Sequence, residues 1–225
     1  MAKSFLEASA RERAQGVCDA GSFQEILKPS DRITSPHMAL LEQPVAFDDG
    51  VVIGRALLGG APVLVAAQEG AFLGGAIGEV HGAKITALIA KALQEKPRAV
   101  LLLFESGGVR LHEANAGLIA ISEIMRAVLA TRAAGIPVFA LISQISVTGQ
   151  MSYVGLDNWK VGRTSAWAFA NICKVPGKIG ILMGNPRYRN QEMNETGFRS
   201  YFREHAPDFT LLEPLSTFES SDVAQ

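Results

Sequence analysis

Apolar positions recur along the chain in two rhythms, one alternating or continuous and one close to 3.6, and the switches between them mark the elements. Residues 51–57 (VVIGRAL) and 62–67 (PVLVAA) are short β-branched runs separated by Leu58-Gly59-Gly60-Ala61, which predicts an antiparallel hairpin. Glycines then give way to a stripe at helical spacing, Val80, Ile85, Leu88, Ile89 and Leu93, and this helix has to end before Pro97. Ala99 to Phe104 is continuously apolar, which suits a strand covered on both faces of a parallel sheet. The spacing is helical again from Leu111 to Arg132, Gly135 is a suitable C-terminal cap, and GIPVFALI (135–142) predicts the next buried strand. Strand, helix and strand in this order predict a right-handed parallel crossover.

Before the hairpin, Phe5, Leu6, Ala10, Ala14 and Val17 share one face of an amphipathic helix that stops near Gly21, and a loop holding Pro29, Pro36 and Pro44 runs from Lys28 to Gly50. After Ile142 the texture changes. Gln144 to Tyr153 is polar and irregular, Lys160 to Ile172 is helical, and Pro176-Gly177 leads into KIGILMG (178–184), a further buried strand. Gln191 to His205 predicts a charged helix with Phe198, Tyr201 and Phe202 on its apolar side, and FTLLEPL (209–215) one more strand. No internal repeat relates the two halves.

Bulk properties narrow the function classes. With 48% apolar and 19% charged residues the chain is globular, not disordered. A formal net charge of -1 argues against a nucleic-acid partner held by general electrostatics. Cys18 and Cys173 form no CxxC pair and no metal-ligand spacing is present, so both read as small buried side chains. The N-terminus lacks the profile of a secretion signal and no apolar run approaches the roughly 18 residues that span a bilayer, so the expected location is cytoplasmic, without a membrane partner.

Candidate chemistry lies in two glycine pairs. In LLLFESGGVRLHEANAG (101–117) an apolar run stops at Gly107 and Gly108 and a helix follows; the other pair is Gly74 and Gly75 in FLGGAIGEVHGAK. Neither stretch fits GxxxxGK[ST] or a GxGxxG at a strand-to-helix junction, so nucleotide binding is unsupported. A backbone oxyanion hole needs only a strand end, glycines and a helix N-terminus, and ESGGVRLHEA supplies all three; a tight turn with no chemistry uses the same residues.

FLGGAIGEVHGAK followed by ESGGVRLHEA resembles the carboxyltransferase branch of the crotonase-like superfamily, which carries FxGGSxGxxxGxK and then SGGxRxxE. The stretch from about Ala8 to Ile142 is similar to the beta subunit of biotin-independent malonate decarboxylases. The resemblance implies a spiral of ββα units, a gamma-type carboxyltransferase subunit as partner in a hetero-oligomer, and decarboxylation of a malonyl thioester. No tightly bound cofactor is implied, the thioester being carried on the CoA-derived arm of an acyl carrier protein. It makes the backbone N–H groups of Gly107 and Gly108 donors to an enolate oxygen, sets Gly74 and Gly75 in close packing beside the substrate, and offers Arg110 either to a carboxylate or phosphate or to a structural ion pair. His81, His112 and Glu113 stand near these turns as acid or base candidates, or as ordinary hydrogen-bonded helix residues.

In that family a strand like GIPVFALI leads to a second glycine-rich turn of the GxxGCxGG kind. Here SQISVTGQMSYVGLDNWKVGRTSAWAFANI follows, and with KIGILMGNPRYRNQEMNETGFRSYFREHAP it resembles the sugar-binding domain of LacI-type and periplasmic binding proteins. That resemblance implies a small-molecule site using Asp157, Asn158 and Arg189, with Asn194 where an Arg often meets the ligand. The expected architecture is therefore α/β: an incomplete crotonase-like ββα spiral over residues 1–142, then a Rossmann-like parallel α/β fragment over residues 143–225. Each half lacks partner strands, which leaves sheet edges exposed unless the halves pair with each other or with another chain.

Overall fold

The β-branched runs form the predicted hairpin. In the computed structural model, which describes residues 8–40, 42, 44–141, 152–186 and 188–217, β1 (Gln24–Ile26), β2 (Val51–Leu58), β3 (Ala61–Gln68) and β4 (Ala99–Leu103) make one sheet in that order. β2 is antiparallel to both β1 and β3, and β4 is parallel to β3. The chain divides into two units, Met1–Pro137 and Val138–Gln225.

In the first unit, side chains of β2 and β3 alternate between two apolar layers, as their period requires. Val51, Ile53, Leu64 and Ala66 meet Ile85, Leu88 and Ile89 of α3 (Glu79–Glu95) and Ala120, Ile124 and Ala127 of α4 (Asn115–Ala133). Val52, Ala56, Val63, Val65 and Ala67 face the other way, against Ala10 and Ala14 of α1 (Ala10–Gly16). Each such fully buried Val, Leu or Ile contributes roughly 1.5–3 kcal/mol, and a one-residue slip of register would send both sets to the wrong side. Ser9 and Glu12 start α1 with a reciprocal capping box, while Val17 lies just past its end as the C-cap; Phe5 and Leu6 lie outside the described residues. The loop before β2 contains a short helix, α2 (Pro36–Leu40). β4 contributes to both layers but is the last strand of the sheet, so its residues are half-buried where full burial was expected.

The N-terminus of α3 is closed from a distance. Its N-cap, Gly78, has no side chain to accept a hydrogen bond; instead Glu113 accepts the N–H of Glu79 and Asp49 Oδ2 accepts the N–H of His81 at 2.7 Å. Negative charge at a helix N-terminus satisfies unpaired donors and complements the dipole. Arg110 ties the two carboxylates together: its Nη1 lies 2.7 Å from Asp49 Oδ1 and 2.9 Å from Glu113 Oε1, and its Nη2 donates to the carbonyls of Ala76 and Asp49. The Arg110 and Glu113 side chains are 0% exposed and that of Asp49 2%. Inside this layer His81 is also fully buried, with Nδ1 3.1 Å from the Asp49 carbonyl and Nε2 2.9 Å from Gln68 Nε2. Burial, reinforced by the Arg110 charge, pushes the His81 imidazole down to about 3, so it is neutral at ordinary pH. That geometry places the proton on Nδ1, donating to the carbonyl, and leaves Nε2 to accept from the Gln68 amide.

The second crossover differs from expectation. GIPVFALI contains only a three-residue strand, β5 (Phe139–Leu141), which pairs in parallel with β6 (Ser152–Val154) and leaves Phe139 and Leu141 exposed; it does not extend the sheet beyond β4. The parallel crossover that does form is β3-α3-β4.

In the second unit Asp157 caps α5 (Asn158–Ile172), so this helix starts two residues ahead of its apolar period. It crosses α6 (Arg189–His205), and the backbones meet at reciprocal glycines: a Cβ on Gly162 would lie 2.0 Å from the Asn194 carbonyl oxygen, and one on Gly197 2.1 Å from that of Trp159. Phe169, Phe198, Phe202 and Phe209 pack edge-on around Ala166 and Ile179. The two expected strands are each divided. β7 (Lys178–Ile179) pairs with β9 (Thr210–Leu211), and β8 (Leu182–Met183) with β10 (Leu215–Ser216), all in parallel. Thr210, Leu212, Leu215 and Thr217 donate in turn to the carbonyls of Gly177, Ile179, Ile181 and Met183, so one extra residue sits between Leu212 and Leu215. Pro214, which has no N–H to give, lies in that bulge.

Three outcomes follow from these contacts. All Trp and Tyr residues fall after residue 137, so the first unit is followed by hydrogen exchange in β2 and β3 and the second by Trp fluorescence. Arg110→Ala, which strands two buried carboxylates, lowers the opening free energy of the first unit by about 3–5 kcal/mol, whereas the exposed Arg126→Ala leaves it unchanged within measurement. Neutral His81 stabilises the first unit fully above pH 6.5; because its folded value lies below the unfolded one, that contribution is lost as pH falls from 6.5 toward 3, at up to about 1.4 kcal/mol per pH unit. His81→Gln flattens that slope. Gly197→Ala lowers the urea midpoint read by Trp159 and Trp167, at a cost of about 1–3 kcal/mol.

Candidate functional site

The chain leaves β3 and β4 at the same end of their parallel pair, and each strand runs into a glycine turn. Leu73, Gly74 and Gly75 are all left-handed (φ 50°, 64° and 68°), which turns the chain sharply at little steric cost except at Leu73. The second turn follows Glu105. A Cβ on Gly75 would lie 1.9 Å from the Glu105 carbonyl oxygen, and one on Gly107 2.6 Å from that of Gly74, so the two turns touch through backbone alone. Gly107 N–H donates to the Gly74 carbonyl at 2.9 Å; beyond the turns Ile77 N–H donates to Gly108 O at 2.8 Å and Arg110 N–H to Ile77 O at 2.9 Å. These bonds form a single parallel bridge, Ile77 to Val109, which carries the pairing of β3 and β4 past both turns.

This geometry separates the two glycines that the sequence treats as equals. Gly107 N–H is spent on Gly74 and is no donor for a ligand, which corrects the expectation of a two-residue oxyanion hole. Gly108 N–H meets only the hydroxyl of Ser106 at 3.1 Å, on the exposed side of the turn. Gly108 has φ 108°, and a Cβ there would meet nothing within 4 Å, so its side faces open space. Gly75 and the Gly74 carbonyl lie where the two turns meet.

Arg110 is also corrected: its guanidinium lies in the buried ion cluster with Asp49 and Glu113 and presents no terminal nitrogen to a substrate, the structural one of its two roles. Of the acid and base candidates, His81 and Glu113 belong to the same cluster, whereas His112 is exposed on the turn of Leu111–Glu113. Four residues given no role in the sequence analysis hold the site: Asp49, Gln68, Glu105 and Ser106. Glu105 is gripped twice, its carboxylate by the buried Arg13 and its N–H by Gln68 Oε1 at 2.8 Å. Gln68 closes an otherwise apolar strand, PVLVAAQ, and that change of polarity is the one hint in the sequence. Among the described residues no group of three or more His, Cys, Asp or Glu is placed to hold a metal ion, and no helix is long and apolar enough to cross a membrane.

The residues proposed for a sugar-type ligand are held in local roles. Asp157 caps α5 and pairs with Lys160, Asn158 is buried with its Nδ2 unpartnered, and Arg189 pairs with Glu192 at 2.8 Å. A groove of about 330 Å³ between α5, α6 and β8 is lined by Val161, Leu182, Gln191, Asn194 and Phe198, so Asn194 reaches it while Asp157, Asn158 and Arg189 do not. The position expected for the GxxGCxGG turn falls in residues 142–151, outside the described residues.

Similarity to known proteins runs across the boundary between the two units. Residues 118–225 match a periplasmic binding protein domain, and residues 7–156 match the carboxyl transferase domain. The malonyl-S-ACP:biotin-protein carboxyltransferase of Malonomonas rubra is 46% identical over 211 residues, covering 87% of this chain and 62% of that protein. The chain spans about half the length of the curated relatives it matches. A Pseudomonas malonate decarboxylase hetero-tetramer, solved with malonate, is 45% identical with a TM-score of 0.57, over 64% of this chain and 53% of that one. A transcarboxylase 12S structure is 28% identical with a TM-score of 0.54, over 62% of this chain and 26% of that one. With the glycine turns lying in the matched stretch and the match covering more than half of the sequence, the chain belongs to the carboxyl transferase domain family.

Proposed function

We propose that the chain is a beta-type subunit of a malonate decarboxylase, which acts on a malonyl thioester carried by an acyl carrier protein, and that Gly108 N–H stabilises the enolate. The observation that carries this reading is the state of Gly108. Its amide meets an exposed hydroxyl and no backbone carbonyl, at the end of a strand and ahead of a helix, and with φ 108° and nothing within 4 Å of a Cβ built there the residue is the approachable glycine of the ESGG turn. Cleavage of the bond from Cα to the carboxylate releases CO2 and leaves its electron pair on the thioester, where charge collects on the carbonyl oxygen. A fixed N–H aimed at that oxygen binds the enolate more strongly than the ground state, which is the condition for lowering the barrier. Displacing Ser106 Oγ makes the donor available. The enolate then takes a proton at Cα to give the acetyl thioester, and exposed His112 is available to deliver it.

No tightly bound cofactor enters this scheme, because the thioester itself accepts the electron pair. A gamma-type carboxyltransferase subunit completes the site. In support, α4 presents Leu118, Met125 and Leu129 on one face, each more than half exposed, a stripe that calls for further protein surface. The likeness to a biotin-protein carboxyltransferase favours a second fate for the carboxyl group, transfer to a biotinyl protein; the enolate and its donor are common to both.

The test is reconstitution with a gamma-type subunit and malonyl-carrier protein. CO2 and acetyl-carrier protein appear without biotin if the first fate holds; if the second does, acetyl-carrier protein forms only with a biotinyl acceptor, which gains the carboxyl group in place of CO2 release. Gly108→Ala forces a β-carbon onto a φ of 108° without creating a clash, so its kcat falls about 100- to 1,000-fold while the chain stays folded. Turnover at the parent rate in that variant would remove Gly108 from the mechanism.

A further inference from the structure

Gln68 and His81 are polar, buried to within 1% and unused by the scheme above. They form one line of hydrogen bonds: Asp49 carbonyl to His81 Nδ1 at 3.1 Å, His81 Nε2 to Gln68 Nε2 at 2.9 Å, and Gln68 Oε1 to Glu105 N–H at 2.8 Å. The ladder between β3 and β4 ends with Ala67 opposite Leu103. Glu105 would be the next residue to drift, and a side chain in place of a strand neighbour fixes its peptide plane. The same residue presses its carbonyl on Gly75 and stands three positions before Gly108. An amide side chain can present its oxygen or its nitrogen to Glu105. His81 decides between them, because its Nε2 lone pair accepts only from the Gln68 nitrogen and so turns the oxygen toward the Glu105 N–H.

We propose that Gln68, oriented by His81, is a positioning residue that sets the direction of the Gly108 N–H. This rests on the reading of Gly108 as the enolate donor. The geometric part does not, since it concerns only how the turn is held.

The test uses the full chain labelled with both 13C-carbonyl glycine and 15N glycine. Only the second glycine of a Gly-Gly pair then gives a carbonyl-correlated amide signal, and the sequence has three such residues, Gly60, Gly75 and Gly108. Gly60 lies at the far end of the hairpin and serves as the internal control. Gln68→Leu, which removes the acceptor, moves the Gly108 signal and leaves Gly60 in place. In the reconstituted complex it lowers kcat by on the order of 100-fold with KM within about threefold, because the loss is felt where the enolate forms. Gln68→Glu keeps an oxygen for the Glu105 N–H, so it restores the Gly108 signal and most of kcat, and its second oxygen draws a proton onto His81 Nε2, seen in the ring 15N shifts. Should the Leu variant not fold, Gln68→Asn, one methylene too short to reach both partners, must move Gly108 in the same way. An unmoved Gly108 signal in a folded Leu or Asn variant overturns the proposal, as does a loss confined to KM. If the unmodified complex releases no CO2 and carboxylates no biotin, the functional reading fails by itself and the glycine signals still decide the positioning role.

Discussion

The first unit depends on one buried cation. Arg110 sits among two carboxylates and two carbonyls with no exposed surface, where an unpaired charge would be prohibitive, so its partners must be placed before the region can close. Those partners come from separate parts of the chain: Asp49 from the turn that starts β2, Glu113 from the turn before α4, and the Ala76 carbonyl from the stretch between the first glycine turn and α3. Each carboxylate has a second duty at the N-terminus of α3. The cluster therefore joins sheet, helix and both glycine turns at one point. Gly78 is small because of it: a Cβ there would lie 2.4 Å from the guanidinium and 2.7 Å from the Glu113 carboxylate.

Such a cluster adds little net stability compared with apolar packing of the same volume, since desolvation offsets much of the Coulomb gain. Its value is in specificity of arrangement. The α3 N-terminus, an inviting anion site in isolation, is filled by protein carboxylates. An open backbone donor has to lie elsewhere, and the exposed ESGG turn carries one at Gly108. Gly107 closes the contact between turns, Ile77 and Arg110 close the bridge beyond them, and Gly108 N–H faces the Ser106 hydroxyl.

The hairpin, α3, α4, α5 and α6 were legible from period alone, because each buries a face several residues wide. β1 was not, being three residues long, and neither was the break in each late strand, which follows from a bulge around Pro214 that no apolar pattern reports. The glycine turns were visible as motifs, yet their spacing says nothing about which N–H is free, a matter of partners that approach from distant sequence. Arg110 illustrates the same limit. Its ambiguity between ligand and ion pair was settled by Asp49, sixty-one residues away, and nothing in a turn-forming DDG marks that residue as the partner of a buried guanidinium.

The strand GIPVFALI shows how one segment can serve two patterns. Both family matches include it, since they overlap over residues 118–156, and a short apolar strand after a helix satisfies either. In the structure it pairs with β6 in the second unit, and the sheet of the first unit ends at β4. The second unit has its own reason to hold together: two helices locked at Gly162 and Gly197 over an aromatic cluster, with parallel strand pairs beside them. Within the first unit β4 is the outer strand and α4 carries an apolar stripe. An edge of unpaired N–H and C=O groups next to apolar surface is unstable against association, and its relief is another β-strand and another apolar face.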